Sequence, residues 1–319
     1  MIRKTAARLW VLSALALFIL KPGNAGAFGE DSVGTSGAQF LKLGTNARAV
    51  AMGEAYSAVS DGSDSIYWNP AGLDGVDRKA FSLMHAVYFQ SISYDFASYA
   101  QRIGEAGVFA AGFQYLNPGS IGRTDRFGSE IGSYSPYDVA VSFGWARKFA
   151  DFSNEEEFTF GASAKYIRSK VVETAAGGAM DAGVTWTPRA VDDLNVAFAL
   201  QNMGSSLKFK NESDSLPFNI KFGSAYKISY EWTVAADLNF PNDAALYGSI
   251  GTEYRIEMSE NFTLAGRAGF KSKTVSQISG LSSISAGAGL QWKNYGLDTS
   301  WQPFGALGNS YLISISGKF

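Results

Sequence analysis

His85 is the sole histidine of the 319-residue sequence, and cysteine is absent. General acid–base chemistry near neutral pH would fall to that imidazole, whose ordinary pKa lies closest to 7. His85 alternates with Phe81, Leu83 and Val87, which places it on an apolar strand face at lipid or an interface belt, and no Ser or Asp pattern beside it suggests a triad. A metal site would need a second nitrogen or a sulfur ligand near it. The reading is therefore of a protein that is not an enzyme, with no catalytic residue, metal or cofactor. What remains is electrostatic: Asp138, Lys165, Asp181, Asp237, Glu253, Arg255, Arg267, Lys271 and Asp298 fall on the less bulky faces of alternating segments. Both signs occur, so these charges are expected to pair with one another or with an internal segment rather than to form a single-sign selectivity ring.

The elements that must position them show period two. Tyr137, Val139, Val141, Phe143 and Trp145 alternate with Asp138, Ala140, Ser142, Gly144 and Ala146; Trp232, Val234, Ala236, Leu238 and Phe240 alternate with Thr233, Ala235, Asp237 and Asn239. Ser282, Ile284, Ala286, Ala288, Leu290 and Trp292 alternate with Ser283, Ser285, Gly287, Gly289 and Gln291. Such alternation specifies strands. About fourteen can be drawn, an even number, at 79–88, 93–103, 106–117, 137–149, 157–170, 179–188, 193–202, 217–228, 231–241, 245–257, 261–271, 281–292, 294–303 and 308–319. Long connections (118–136, 171–178, 203–216) alternate with tight ones (Gly104-Glu105, Ser229-Tyr230, Lys293), the loop–turn asymmetry of outer-membrane barrels.

A soluble β-sandwich also alternates, but it points bulk inward and charge outward. Here one face carries Trp, Phe, Val and Leu while the other carries Ala, Gly and Ser with scattered charge. The bulky face suits lipid and the slim face lines a crowded interior, and only closed barrels satisfy every backbone group of a spanning sheet. Aromatics at 14% and 35 glycines agree. No apolar run is long enough for a spanning helix: Leu9 to Leu20 is the longest, short of the roughly 20 residues required. It reads as the core of an export signal, preceded by Arg3, Lys4 and Arg8 and followed by Ala25-Gly26-Ala27. Cleavage there removes four cations and moves the formal charge from -2 to -6, which leaves no basic footprint for nucleic acid. The expected organisation is a signal peptide at 1–27, an N-terminal hatch at 28–77 and a transmembrane barrel at 78–319, located in the bacterial outer membrane and in contact with its lipid.

The hatch segment reads as a helix N-capped by Asn46 and running through Ala47, Val50, Ala51, Met52, Ala55, Tyr56 and Ala58, apolar on nearly all sides. Such a helix needs burial all round, which a barrel lumen provides. Asp61-Gly62 signals a turn, and Trp68-Asn69-Pro70-Ala71-Gly72-Leu73 reads as a rigid corner: proline keeps Asn69 out of helical geometry, its amide can bond adjacent backbone, and Gly72 permits a sharp exit. The set Arg48, Met52, Gly53, Tyr56, Trp68, Asn69, Pro70, Ala71, Gly72 and Leu73 is the candidate site.

With Ala47-Arg48-Ala49, Met52-Gly53-Glu54-Ala55-Tyr56, Asp61 and Trp68-Asn69-Pro70-Ala71-Gly72-Leu73 in place, the sequence resembles the PorV/PorQ branch of the FadL-like outer-membrane proteins. The motif spans about residues 44–73; beyond it the likeness is one of architecture. The resemblance implies an all-β, closed antiparallel barrel of fourteen strands whose lumen is plugged by an N-terminal, mostly helical hatch carrying Asn69, Pro70 and Ala71. The C-terminal strand, with Tyr311, Ile313 and Ile315 on one face and Phe319 last, is similar to the ends of bacterial outer-membrane barrels, which implies recognition by the barrel-assembly machinery. Two functions follow from the resemblance. One is passage of hydrophobic, fatty-acid-like small molecules beside an oily hatch of Val50, Met52, Tyr56 and Trp68. The other is a non-transporting subunit of type IX protein secretion that binds translocon or cargo proteins through the loops at 118–136 and 203–216, where Phe127 and Tyr134 are the distinctive side chains.

Overall fold

The structure, a computed structural model, describes residues 34–150, 157–209, 212–274 and 282–319; the expected export signal lies outside them. Fourteen strands close into one antiparallel barrel. In chain order these are β1 (Lys79–Val87), β2 (Ser93–Arg102), β3 (Val108–Asn117), β6 (Tyr137–Ala150), β7 (Glu157–Lys170), β8 (Thr174–Thr187), β9 (Leu194–Gly204), β12 (Asn219–Lys227), β13 (Trp232–Pro241), β14 (Tyr247–Ser259), β15 (Phe262–Lys271), β16 (Ile284–Trp292), β17 (Tyr295–Pro303) and β18 (Asn309–Lys318). The four remaining strands form two small hairpins in the long connections: β4 (Ile121–Thr124) with β5 (Glu130–Tyr134), and β10 (Leu207–Phe209) with β11 (Glu212–Asp214). Closure is made by β1 against β18, where Lys79 and Phe319 exchange backbone hydrogen bonds of 3.0 and 2.8 Å.

The alternation resolves as expected. On β6, Phe143 is 67% exposed while Ala140, Ser142 and Ala146 are buried, and the same out-and-in order runs along β7. The strand termini at the Lys79 and Phe319 end are joined by short connections such as 103–107, 228–231, 260–261 and 293–294; the opposite end carries 118–136, 205–218 and 272–283. The first end is therefore periplasmic and the second faces outward. Aromatic rings gather near both: Phe81 stacks on Phe319 at the first, and Tyr115 lies beside Tyr137 at the second, as the girdles of a lipid-exposed barrel do.

One connection differs from expectation. The loop read at 171–178 is only three residues long, because β8 already begins at Thr174. Ala175 and Gly177 face inward there and Ala176 and Gly178 outward, so no contrast in bulk marks the strand.

Residues 34–76 occupy the lumen. They contain two short helices, α1 (Ala47–Ala51) and α2 (Ser65–Trp68), and two 3-10 turns, Gln39–Lys42 and Pro70–Gly75. The helix expected from Asn46 to Ala58 is thus only five residues long. Asn46 caps it as read, its side chain accepting from Arg48 N at 2.7 Å. Gly53 and Glu54 then both take φ of +65°, a left-handed pair that ends the helix and turns the chain toward the wall.

Candidate functional site

The hatch is tied to strands on every side. Ala47 N donates to Ser314 Oγ on β18 at 2.8 Å, Gly53 N donates to Ser285 Oγ on β16 at 3.1 Å, and that hydroxyl donates to Ala51 O at 3.1 Å. Asp237 on β13 accepts from Tyr56 N, Ser57 N and Ser57 Oγ at 3.2, 3.1 and 2.8 Å. On β9, Gln201 Nε2 donates to Tyr67 O and Trp68 O at 2.8 and 3.2 Å. Ser98 on β2 bonds Ser63 at 2.8 Å. These bonds satisfy hatch backbone that water cannot reach.

Gln201 reaches the hatch because β9 is bulged. Pairing with β8 shifts register between Met180 and Ala182, leaving Gln201 and Asn202 opposite Asp181. Both are buried, so the extra residue aims two side chains at the lumen where one is normal. Asn202 takes φ of +59°. It is held by Asp181 Oδ1 on its backbone N (2.7 Å) and by Lys165 Nζ, which donates to its Oδ1 (2.8 Å) and pairs with Asp181 (2.8 Å).

A second cluster centres on Glu253 of β14, 1% exposed. Arg48 of the hatch grips it with two bonds, Nε to Oε2 at 2.7 Å and Nη2 to Oε1 at 2.9 Å. Arg255 and Arg267 donate to it at 2.8 and 2.6 Å, and Arg267 continues to Asp298 at 2.7 Å. Arg48 also lies over the Tyr56 ring, 5.4 Å from its centroid. Lys271 pairs with Glu54 of the hatch, and Asp138 accepts from Ser169. Mixed charge therefore pairs internally and with the hatch, as read, with Arg255 reaching in from the exposed rim at 48% exposure. Lys221, buried on β12, is an inward charge that the sequence reading did not include; its Nζ is 3.8 Å from Asp237.

The corner behaves as expected in one respect and differently in another. Asn69 stands in extended geometry, its Oδ1 accepts from Ala71 N at 3.1 Å, and its Nδ2 donates to Ser57 O and Val184 O at 3.2 and 3.4 Å. Gly72 is required for room rather than for its backbone angle: an added Cβ would overlap Ser60 O and stand 2.6 Å from Ser60 Oγ. Trp68, packed edge-on to Tyr56 and Tyr67 at 5.7 and 4.8 Å, and Leu73 are both buried. Below the corner, Arg102 donates to Asp74 O and Val76 O at 2.6 and 3.1 Å, fixing the exit into β1.

The wall meets this segment with glycines. Gly161 faces Pro70 and Ala71, Gly183 faces Asn69, Gly223 faces Ser57, Gly251 faces Met52, Gly269 faces Met52 and Gly53, and Gly287 faces Ala51; at each, an added Cβ would collide with the hatch. Gly161 pairs directly with Gly183 across β7 and β8, and Gly251 with Gly269 across β14 and β15. A belt of absent side chains thus seats the hatch backbone against the sheet. Its signal was glycine at inward positions of alternating strands. Val50, Met52, Tyr56 and Trp68, read as an oily path, are each 2% exposed or less and form the packed centre of the plug.

His85 faces outward as expected; the partner that sequence reading missed is Asp95, whose Oδ1 lies 2.7 Å from Nδ1 across the β1–β2 pair. Tyr311, Ile313, Ile315 and Phe319 are all exposed along the outer face and end of β18.

A fourteen-stranded barrel, apolar outside and filled by its own N-terminal segment, defines the class of hatch-plugged outer-membrane barrels. Within that class, a family model described as Type IX secretion system protein PorV matches residues 27–242, more than half of the chain, and the protein belongs to this family. Among solved structures, the toluene transporter TodX of Pseudomonas putida is similar at 13% identity with a TM-score of 0.58, covering 86% of this chain and 98% of its own. The Ralstonia pickettii toluene transporter TbuX is similar at 13% identity and 0.57, with coverage of 86% and 98%. A Pseudomonas aeruginosa FadL homologue is similar at 8% identity and 0.52, with coverage of 85% and 97%. At these identities the likeness is one of fold. No curated protein is a significant match.

Proposed function

We propose that this protein is a non-transporting subunit of type IX protein secretion that engages a translocon or cargo protein from the outside of a permanently filled barrel. The observation that carries the reading is the seal itself: hatch backbone seated on a glycine belt and bonded to strands all round the lumen. Such a barrel has its wall and loops to work with. At the outward end the β4–β5 hairpin presents Ile121, Phe127 and Ile131 to solvent, Phe127 at 77% exposure, and exposed apolar groups on a loop tip suit a protein partner. The reading includes an export signal at 1–27, a hatch at 28–77 and a barrel at 78–319, with Tyr311, Ile313, Ile315 and Phe319 presented to the assembly machinery.

The test is a photo-crosslinking side chain at position 127, illuminated on whole cells. A covalent adduct with a large outer-membrane protein is expected; adducts with lipid alone would sink the proposal. A second reading, passage of fatty-acid-like molecules, draws on a narrow cleft at the outward end where Leu41, Tyr67, Pro217 and Pro241 meet polar side chains such as Gln201 and Lys221. Mass spectrometry of the barrel extracted without added lipid separates the two: stoichiometric fatty acid with no protein partner favours passage.

A further inference from the structure

At the outward end of the hatch lies a cavity of about 30 Å³ whose lining includes Lys42, Trp68, Lys221, Tyr247 and Lys273. Four ammonium groups gather around it. Lys271 and Lys273 stand 5.6 and 5.3 Å from the centroid of the Tyr247 ring, and Lys221 stands 5.1 Å from that of Trp68. Lys42 is the fourth.

Three carboxylates face the same region, and each is already engaged. Glu54 takes Lys271. Asp243 takes Ser36, Gln39 and Lys42 on Oδ2, the last two at 2.8 and 2.7 Å, while its Oδ1 is without a donor among the described residues. Asp237 takes Tyr56 N, Ser57 N and Ser57 Oγ. Lys221 is left with Asp237 at 3.8 Å, beyond hydrogen-bond reach. Lys273, in the turn after β15, has no carboxylate partner among the described residues, and the buried indole Nε1 of Trp68 has no acceptor. Among the described residues, three donors without acceptors thus belong to the lining of one small space, with one positive charge in excess.

We propose that this space binds a compact monoanion of halide or carboxylate size between Lys221, Lys273 and Trp68. Its volume holds roughly two water-sized bodies, enough for chloride with a water or for a carboxylate group. Asn219 Oδ1, an acceptor without a donor on the same lining, is placed to take a hydrogen from that water. Burial, with Lys271 and Lys42 adding to it, pushes the Lys273 ammonium down to about 8, the direction expected of a cation held without a counter-ion. The bound anion joins the turn after β15 to β12 and the hatch, closing the outward end of the plug. The site stands independently of which partner or cargo the barrel serves.

The test uses the full chain in detergent, with sodium gluconate replaced stepwise by sodium chloride at constant ionic strength. The unfolding midpoint of the wild type is expected to rise saturably by about 2–4 °C, formate is expected to reproduce the rise, and sulfate is not. Lys273→Met and Lys221→Met should lose it, and Lys273→Met should melt in gluconate no lower than the wild type because it removes an uncompensated buried charge. Equal wild-type midpoints in the two salts, or a rise that survives in Lys273→Met, would overturn the site. Should the variants not fold, crystals of the wild type grown in bromide decide: an anomalous peak between the Lys221 and Lys273 ammoniums supports the proposal, and its absence there refutes it.

Discussion

Replacing Gly269 with alanine is expected to loosen the hatch while leaving the barrel intact. The added methyl would overlap Gly53 N and Met52 C and stand 2.6 Å from Gly53 Cα. Carbon atoms settle at about 3.5–4.0 Å, so the hatch must retreat by roughly 1 Å. β15 cannot yield instead, because it is paired on both sides. Overpacking of this kind costs about 1–3 kcal/mol. A 1 Å retreat also stretches the bonds from Gly53 N to Ser285 and from Ser285 to Ala51 O, both 3.1 Å, beyond useful length, each contributing about 1 kcal/mol. The sum, about 3–5 kcal/mol, corresponds to a local opening some hundred- to several-thousand-fold more frequent. Gly266 is the matched control: it lies on the same strand, faces outward and has nothing within 4 Å of an added Cβ. Hydrogen exchange read by mass spectrometry on peptides covering 47–60 should therefore accelerate in Gly269→Ala and stay at the wild-type rate in Gly266→Ala. Heat-modifiable migration of the folded barrel should be unchanged in both. Equal protection of the hatch in the two variants would refute the claim that the wall glycines seat it.

Two further outcomes follow from the charges. Glu253→Gln strips the carboxylate that receives Arg48, Arg255 and Arg267; leaving Arg48 with only Asp61 at 3.5 Å and Arg267 with only Asp298 should cost about 3–5 kcal/mol, and adding Arg48→Met should recover part of it, a non-additivity readable in the same exchange assay. Asp64, buried in the hatch and accepting from Asn46 Nδ2 at 2.8 Å, is pushed up to about 6 by burial and then by neighbouring Asp61. Because its folded value lies above the ordinary one, its neutral form supports the hatch fully below about pH 4, and that support is lost as pH rises through 6. Asp64→Asn should therefore slow hatch exchange at pH 8 by the equivalent of about 3 kcal/mol and change little at pH 4; a variant that opens faster than wild type at pH 8 would contradict the assignment.

The barrel was legible because lipid outside and a crowded lumen inside impose opposite demands on alternate residues, and segments such as 157–170 coincide with the strands themselves. Legibility failed where that contrast vanished, as at Ala175 to Gly178, where both faces are small. The hatch helix was read too long because alanine-rich spacing continues past Met52, while the left-handed turn at Gly53 and Glu54 answers to the wall and leaves no local mark apart from the glycine. Asn69 was readable as a corner since Pro70 keeps it extended and its Oδ1 bonds the backbone of Ala71 two residues on. Arg48 and Glu253 were not readable as a pair, being 205 positions apart and joined only once the barrel closes. His85 and Asp95, by contrast, face each other across a single hairpin, and the register of β1 with β2 would have found them.

The distribution of the hatch bonds bears on mechanism more than their individual strength does. Ser98, Gln201, Asp237, Glu253, Ser285 and Ser314 sit on six different strands, so no edge of the plug can lift without the others giving way. If only eight such bonds at about 1 kcal/mol each must break together, the open form is populated at roughly one part in a million. The glycine belt raises that barrier further, since seated backbone cannot slide past wall positions whose neighbours on the same strands carry side chains. A passive channel would have to work from so rare a state, whereas a subunit that presents its wall and outward loops gains from the same rigidity, because a filled lumen holds the Phe127 hairpin and its neighbours on a fixed base. On the proposed secretion reading, the packing that closes the route through the centre is also what would make the outside a dependable docking platform, and it is on that ground that the secretion reading is preferred over passage.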